Sequence, residues 1–164
     1  MTDQNFTTSI TVDRTPAEVF AAVLNARGWW SPGIKGGTER AGDRFVFEAP
    51  GVHRSEIELT EVVPDERVVW LVKDNFMSFI EDQTEWVNTE MRFDIAATDG
   101  GTELTFTHVG LVPDYECYDA CSPAWTFYIT ESLRDLVTTG VGQPSEFPGQ
   151  IEAEAAAAAA AAQN

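Results

Sequence analysis

The chain has 164 residues, of which 43% are hydrophobic, and it carries five tryptophans, ten phenylalanines and three tyrosines. At this length one domain can bury roughly two thirds of its unfolded surface around a single core. Ten lysines and arginines face 27 aspartates and glutamates, a net charge of −17; that balance repels phosphate backbones and anionic lipid, and excludes nucleic acid and membrane surfaces as expected partners.

The N-terminal run MTDQNFTTSITV is polar and then alternating, unlike a secretory signal, and no apolar run reaches the ~20 residues of a membrane span. Two cysteines are too few for a disulfide framework and suit a reducing compartment, so a cytoplasmic location is expected.

The alternation in FTTSITV predicts a strand over Phe6–Val12. A helix follows, with Thr15 as N-cap, Pro16 in the first helical position and Glu18 completing a capping box. Val19, Phe20, Val23 and Leu24 form its apolar stripe, and Gly28 stops it. Next comes GWWSPG, where two adjacent tryptophans cannot both face one core from a regular element. Trp30 is expected inside and Trp29 at the surface, across a short connector. Short glycine-punctuated strands are expected around residues 34–40 and 43–49.

Longer strands follow. HRSEIELTEVV ends at the turn signal Pro64-Asp65, and RVVWLVK continues from it. DNFMSFIEDQTEW reads as irregular. In NTEMRFDIAA, Met91, Phe93 and Ile95 share a face; TDGG is a hairpin turn; and TELTFTHV returns with Leu104, Phe106 and His108 in phase. A sheet with one apolar face needs a cover. SPAWTFYITESLRDLVTTG supplies it as a long helix, with Ser122 as cap, Pro123 opening it and Gly140 ending it. The expected fold class is α+β, a curved antiparallel sheet around a long C-terminal helix, with two short helices after the first strand. That domain spans 1–142, and the proline- and alanine-rich segment 143–164 reads as a tail.

The segments SITVDRTPAEVFAAV, GWW, EW-x-x-T-x-M-x-F (Glu85 to Phe93) and H-x-G-L…Y…W (His108 to Trp125) resemble the SRPBCC, or START-like, superfamily. Within it they are most similar to bacterial homologues of heat-shock ATPase activators. The resemblance covers residues 4–144 and implies a helix-grip fold with a cavity between sheet and helix. In such a fold the apolar faces of Trp30, Phe47, Ile57, Trp70, Met91, Phe93, Phe106, His108, Trp125, Tyr128 and Ile129 are expected to line that cavity. The implied functions are binding of a small, mostly hydrophobic molecule, an interaction with a chaperone, or a cyclase- or hydratase-type reaction.

For the last of these, His108 is the candidate base, beside Tyr115, Tyr118 or Asp114. His53 is placed at the cavity mouth. Glu56 and Glu58 are expected on the outer face, paired with Arg92 or Arg54. Cys117 and Cys121 are four apart, a spacing that sets two thiols on one helical face, but no second paired motif accompanies them and no metal site is expected. No nucleophile elbow, phosphate loop or dinucleotide fingerprint is present, and no cofactor is expected.

Overall fold

A computed structural model describes residues 5–49, 53–77, 81, 84–113 and 118–144. Seven antiparallel strands form one sheet in the order β1-β7-β6-β5-β4-β3-β2. They are β1 (Phe6–Val12), β2 (Lys35–Gly36), β3 (Arg44–Ala49), β4 (His53–Val63), β5 (Arg67–Met77), β6 (Glu90–Thr98) and β7 (Gly101–Val109). Between β1 and β2 lie two short helices, α1 (Pro16–Leu24) and α2 (Ala26–Trp29). The C-terminal helix runs from Tyr118 to Thr139 as α3 (Tyr118–Phe127), a π-helical turn (Tyr128–Leu133) and α4 (Arg134–Thr139). This is the expected α+β helix-grip architecture.

Local chemistry fixes the entry and exit of the helices. The Thr15 side chain accepts from the Glu18 N–H at 3.2 Å, and Glu18 Oε1 accepts from the Thr15 N–H at 3.1 Å, closing the capping box. Those bonds favour the ionised Glu18 carboxyl and lower its pKa. Gly140, with φ of +88°, ends α4 in the left-handed conformation that glycine adopts without strain.

The long helix begins earlier than its cap signals indicate. Ser122 and Pro123 lie inside α3, and Tyr118 is its first residue. Proline has no N–H to give, so the ladder is interrupted at Pro123.

β5 also exceeds its expected length, reaching Met77 through residues read as irregular. The reason is a bulge. Ile57 pairs with Val72 and Glu56 with Asp74, which leaves Lys73 as the extra residue. One added residue reverses the alternation, so Val68, Trp70 and Val72 are buried on one side of it and Asn75 and Met77 on the other.

The outer face carries charge. Arg44 reaches Glu58 at 3.0 Å and Glu56 at 3.7 Å, and Arg54 reaches Asp74 at 3.3 Å and Glu56 at 3.8 Å. Glu56 therefore has Arg54 as expected, whereas Arg44 takes the place foreseen for Arg92. These exposed pairs contribute little to stability.

Both tryptophans of the adjacent pair are inside: Trp29 is fully buried and Trp30 is 2% exposed. Trp29 ends α2 and Trp30 follows with φ −102° and ψ −64°, so the chain turns beneath the sheet and both rings enter it. They stack on Trp70 at 5.9 and 5.8 Å. The turn is clamped by the C-terminal helix, where Ser132 Oγ donates to the Trp29 carbonyl and accepts from the Gln143 N–H, each at 2.7 Å. The crossing is close at Gly28, where a Cβ would lie 2.6 Å from Asn25 Nδ2 and 3.1 Å from Leu136 Cδ2 and would push those side chains aside.

Ser132→Ala is expected to leave the Trp29 carbonyl and the Gln143 N–H without that partner and to cost about 1–3 kcal/mol. The check is a lowered urea midpoint with an unchanged m-value.

Candidate functional site

The inward residues of β3 to β7 meet α2 and α3 in one aromatic assembly. Trp30 stacks on Phe47 at 4.5 Å and meets Trp125 of α3 at 5.2 Å. Trp125 in turn meets Phe106 at 4.7 Å and stacks on Trp86 at 6.0 Å. Trp70 and Phe93 lie deeper, ring to ring at 4.8 Å. Ring pairs at these separations add a few tenths to about 1.5 kcal/mol each beyond the area they bury.

Toward the end of the sheet nearest α3, a small pocket remains between Trp30, His53, Trp86, Cys121, Ala124, Trp125 and Tyr128. Its free volume is about 10 Å³, the space of one water molecule.

Two buried polar clusters flank this pocket. In the first, His53 Nε2 and Ser55 Oγ are 2.9 Å apart, Asn75 Nδ2 donates to Ser55 Oγ at 3.0 Å, and the Trp86 N–H donates to Asn75 Oδ1 at 3.1 Å. In the second, Trp125 Nε1 donates to His108 Nδ1 at 3.2 Å. An indole nitrogen can only donate, so His108 Nδ1 carries no proton and Nε2 carries it. The Nε2–H then donates to Thr89 Oγ1 at 2.8 Å, and the Thr89 hydroxyl donates to the Trp86 carbonyl at 2.6 Å.

Every donor in this second chain is matched to an acceptor. The Nδ1 lone pair that a general base would use is held by Trp125. Burial pushes both histidines down to about 3, so each is neutral near pH 7. Trp70 Nε1 is buried with no hydrogen-bond partner, in a ring that Phe45 and Phe93 meet edge-on.

Of the residues expected from the sequence, Trp30, Trp125 and Tyr128 stand on the pocket wall. Phe47, 6% exposed, backs Trp30 and meets the His53 ring edge-on at 5.1 Å. His108 lies one contact away, behind Trp125 and Trp86. Ile57, Trp70, Met91, Phe93, Phe106 and Ile129 are buried in the surrounding core.

Trp86, Cys121 and Ala124 also stand on the wall, outside the set expected from the sequence. Trp86 sat in the stretch read as irregular. Cys121 joins the wall through the earlier start of α3, which puts it at helical spacing with Ala124, Trp125 and Tyr128 on one face. Asp114, Tyr115 and Cys117 lie outside the described residues, as do residues 145–164 of the expected tail.

Elsewhere, a groove of about 330 Å³ on the outer face is lined by Glu66, Arg67, Asp94 and Glu103 among others. Arg67 and Asp94 pair across it at 2.8 Å, which raises the Arg67 pKa further. It is an open, charged surface. Among the described residues no cluster of metal-ligating side chains occurs, and no helix is long and apolar enough to cross a membrane.

The family model for Activator of Hsp90 ATPase homolog 1-like protein matches residues 13–138. Among solved structures, the Aha1 dimer of Colwellia psychrerythraea superposes with a TM-score of 0.68 at 21% identity, covering 84% of this chain and 98% of that one. Protein MLL2253 of Mesorhizobium loti gives 0.61 at 16% identity, over 76% of this chain and 90% of its own. Protein CV1439 of Chromobacterium violaceum gives 0.58 at 18% identity, over 80% and 96%. These likenesses show the fold. A search of curated proteins finds no significant match.

The buried histidines give the stability a pH dependence. Each has a folded-state pKa near 3 against an ordinary 6.5. Between those values the unfolded chain holds more protons, so stability is full above pH 6.5 and falls as the pH drops toward 3. Between pH 7 and 5 the loss is about 2 kcal/mol per histidine, ~4 kcal/mol for both. Urea titrations across that window should show it, and His108→Gln, which keeps one donor and one acceptor, should halve the slope. A flat profile in the parent protein contradicts the neutral, buried assignment.

Proposed function

The chain belongs to the Activator of Hsp90 ATPase homolog 1-like family, and from that premise we propose that it binds a small, flat, uncharged apolar molecule between the helix-grip sheet and α3. The occupied site is the pocket walled by Trp30, Trp86, Trp125 and Tyr128, with His53 as its polar corner.

The direction in which the aromatic residues point supports this reading above all. Three tryptophans and a tyrosine converge on one internal pocket. Among the described residues the large hydrophobics at the surface are Phe76, 38% exposed, and Val141. Trp29, expected at the surface, is fully buried and so is no anchor for a protein partner. Protein interfaces take their energy from a cluster of desolvated aromatic anchors, and small-molecule sites from concave apolar walls with a few polar groups.

Ligand chemistry follows from the walls. Ring faces favour a flat molecule, and neutral His53 gives the wall a polar edge without a charge. No wall residue carries a cation for a carboxylate or phosphate, and the net charge of −17 opposes the approach of anions. A typical ligand needs a cavity of roughly 300 Å³ or more. Binding therefore requires the walls to separate from the closed arrangement, which leaves about 10 Å³.

The family description favours a second reading, in which the chain stimulates the ATPase of a heat-shock chaperone. That role needs a surface and not the pocket, so one variant separates the two. Ala124→Leu fills the pocket at an expected stability cost of about 1–3 kcal/mol, within the tolerance of a folded domain.

The neutral dye Nile red should bind the parent protein saturably, with a blue shift of its emission and quenching of tryptophan fluorescence. Ala124→Leu should weaken that binding at least tenfold while its circular dichroism stays native. Absence of saturable binding, or an unaffected variant, overturns the ligand reading. Stimulation of a chaperone ATPase equally by both proteins supports the second.

A further inference from the structure

Resting on the ligand reading, we propose that α3 is the gate of the pocket and that it swings as a unit on the π-helical turn Tyr128–Leu133. The C-terminal helix is divided at this turn into two parts with different duties. α3 carries Cys121, Ala124 and Trp125, and Tyr128 opens the π turn, so these four wall residues lie on the gate and its hinge. From the end of the turn onward, the helix is tied to the rest of the fold by hydrogen bonds. At the C-terminal end of the turn itself Ser132 holds the Trp29 carbonyl and the Gln143 N–H, and past the turn Arg14 Nη2 donates to the Thr138 carbonyl at 2.8 Å and Gln143 Nε2 donates to Asp135 at 2.6 Å.

The backbone of the helix is weakened between Cys121 and Ala124 and again from Tyr128 onward. Pro123 removes one rung of the ladder, and the π turn replaces i→i−4 bonding with wider spacing. A run of hydroxyls competes for the same carbonyls. Ser122 donates to the Tyr118 carbonyl at 2.7 Å, Thr126 to Ser122 at 2.9 Å, and Thr130 to Thr126 at 2.6 Å. Back-bonding of this kind loosens and bends a helix.

The π turn is also a discrete element. Converting it to α geometry changes the angular setting of everything N-terminal to it by about 100° per residue of register, which moves Trp125 off His108. The Trp125 Nε1 bond to His108 Nδ1 is the latch that such a movement breaks.

Hydrogen–deuterium exchange on the full chain without dye tests the gate. Amides of residues 118–127 should exchange at least tenfold faster than those of 134–139, reporting a local opening that leaves α4 in place. Trp125→Phe, which keeps a ring but removes the latch, should raise exchange in 118–127 a further fivefold or more and leave 134–139 unchanged. Simple global destabilisation raises both segments together, and that result, or equal exchange of both in the parent protein, overturns the gate. Nile red should slow exchange in 118–127 selectively. Dye binding with uniform exchange sinks the gate and spares the ligand reading, whereas local opening of α3 without dye binding does the reverse.

Discussion

The Trp125–His108 hydrogen bond is the contact on which the interior depends. It is made between the covering helix and the C-terminal end of β7, next to the edge strand β1, so it fixes where α3 lies. By occupying Nδ1 it also selects the tautomer of His108, and the Nε2–H is thereby directed at Thr89 and through it at the Trp86 carbonyl. Trp86 stacks on Trp125, so the chain of bonds closes on the ring where it began. A charged His108 is incompatible with this loop, because a protonated Nδ1 has nothing to accept from an indole donor. Neutrality, tautomer and ring packing are therefore one condition, and the residue that looked most like a catalytic base is the one that organises the wall.

The aromatic excess has a geometric reason. Trp29, Trp30 and Trp70 are stacked with interplanar angles of 11 to 20°, and Phe45 and Phe93 close the stack edge-on. Large flat rings fill a curved sheet with few side chains, whereas aliphatic residues would need more positions on the same strands. Such a stack is close-packed only when each ring has its neighbour. The small residual volume beside Tyr128 is what remains at the edge, where the stack ends and the polar clusters begin.

Elements with an unbroken period were legible in the sequence, and elements with a break were not. β1, β6 and β7 alternate cleanly, and α1 announces itself through Thr15, Pro16 and Glu18. The strands and the start of α1 were placed as they stand, but α1 ends at Leu24, where Asn25 caps it, and Gly28, expected to stop it, lies inside α2. β5 was cut short because the bulge at Lys73 reverses the phase, leaving Asn75 on the inner face as a polar residue with no visible reason to be there. Its reason is tertiary: Ser55 and the Trp86 backbone meet it. The start of α3 was misplaced because Ser122-Pro123 has the chemistry of a helix start, while in the fold Ser122 spends its hydroxyl on the Tyr118 carbonyl one turn earlier. Trp29 was assigned outward by the rule that neighbours in a regular element diverge, and α2 ends at that residue, so the rule stops applying there.

Those same breaks build the pocket. Without the reversal at Lys73, Asn75 would face solvent, the Trp86 N–H would lose its acceptor, and His53 would lose the partner of its own partner, Ser55. Without the early start of α3, Cys121 would lie ahead of the helix and off the face it shares with Ala124, Trp125 and Tyr128. A regular sheet under a regular helix would give a core of the same composition with no distinction between its two ends. Irregularity concentrated at one end sets the deep end, where Trp29, Trp70 and Phe93 are locked by packing, apart from the end at α3. There neutral polar groups stand beside ring faces, and the covering helix is joined to its anchor through a π turn.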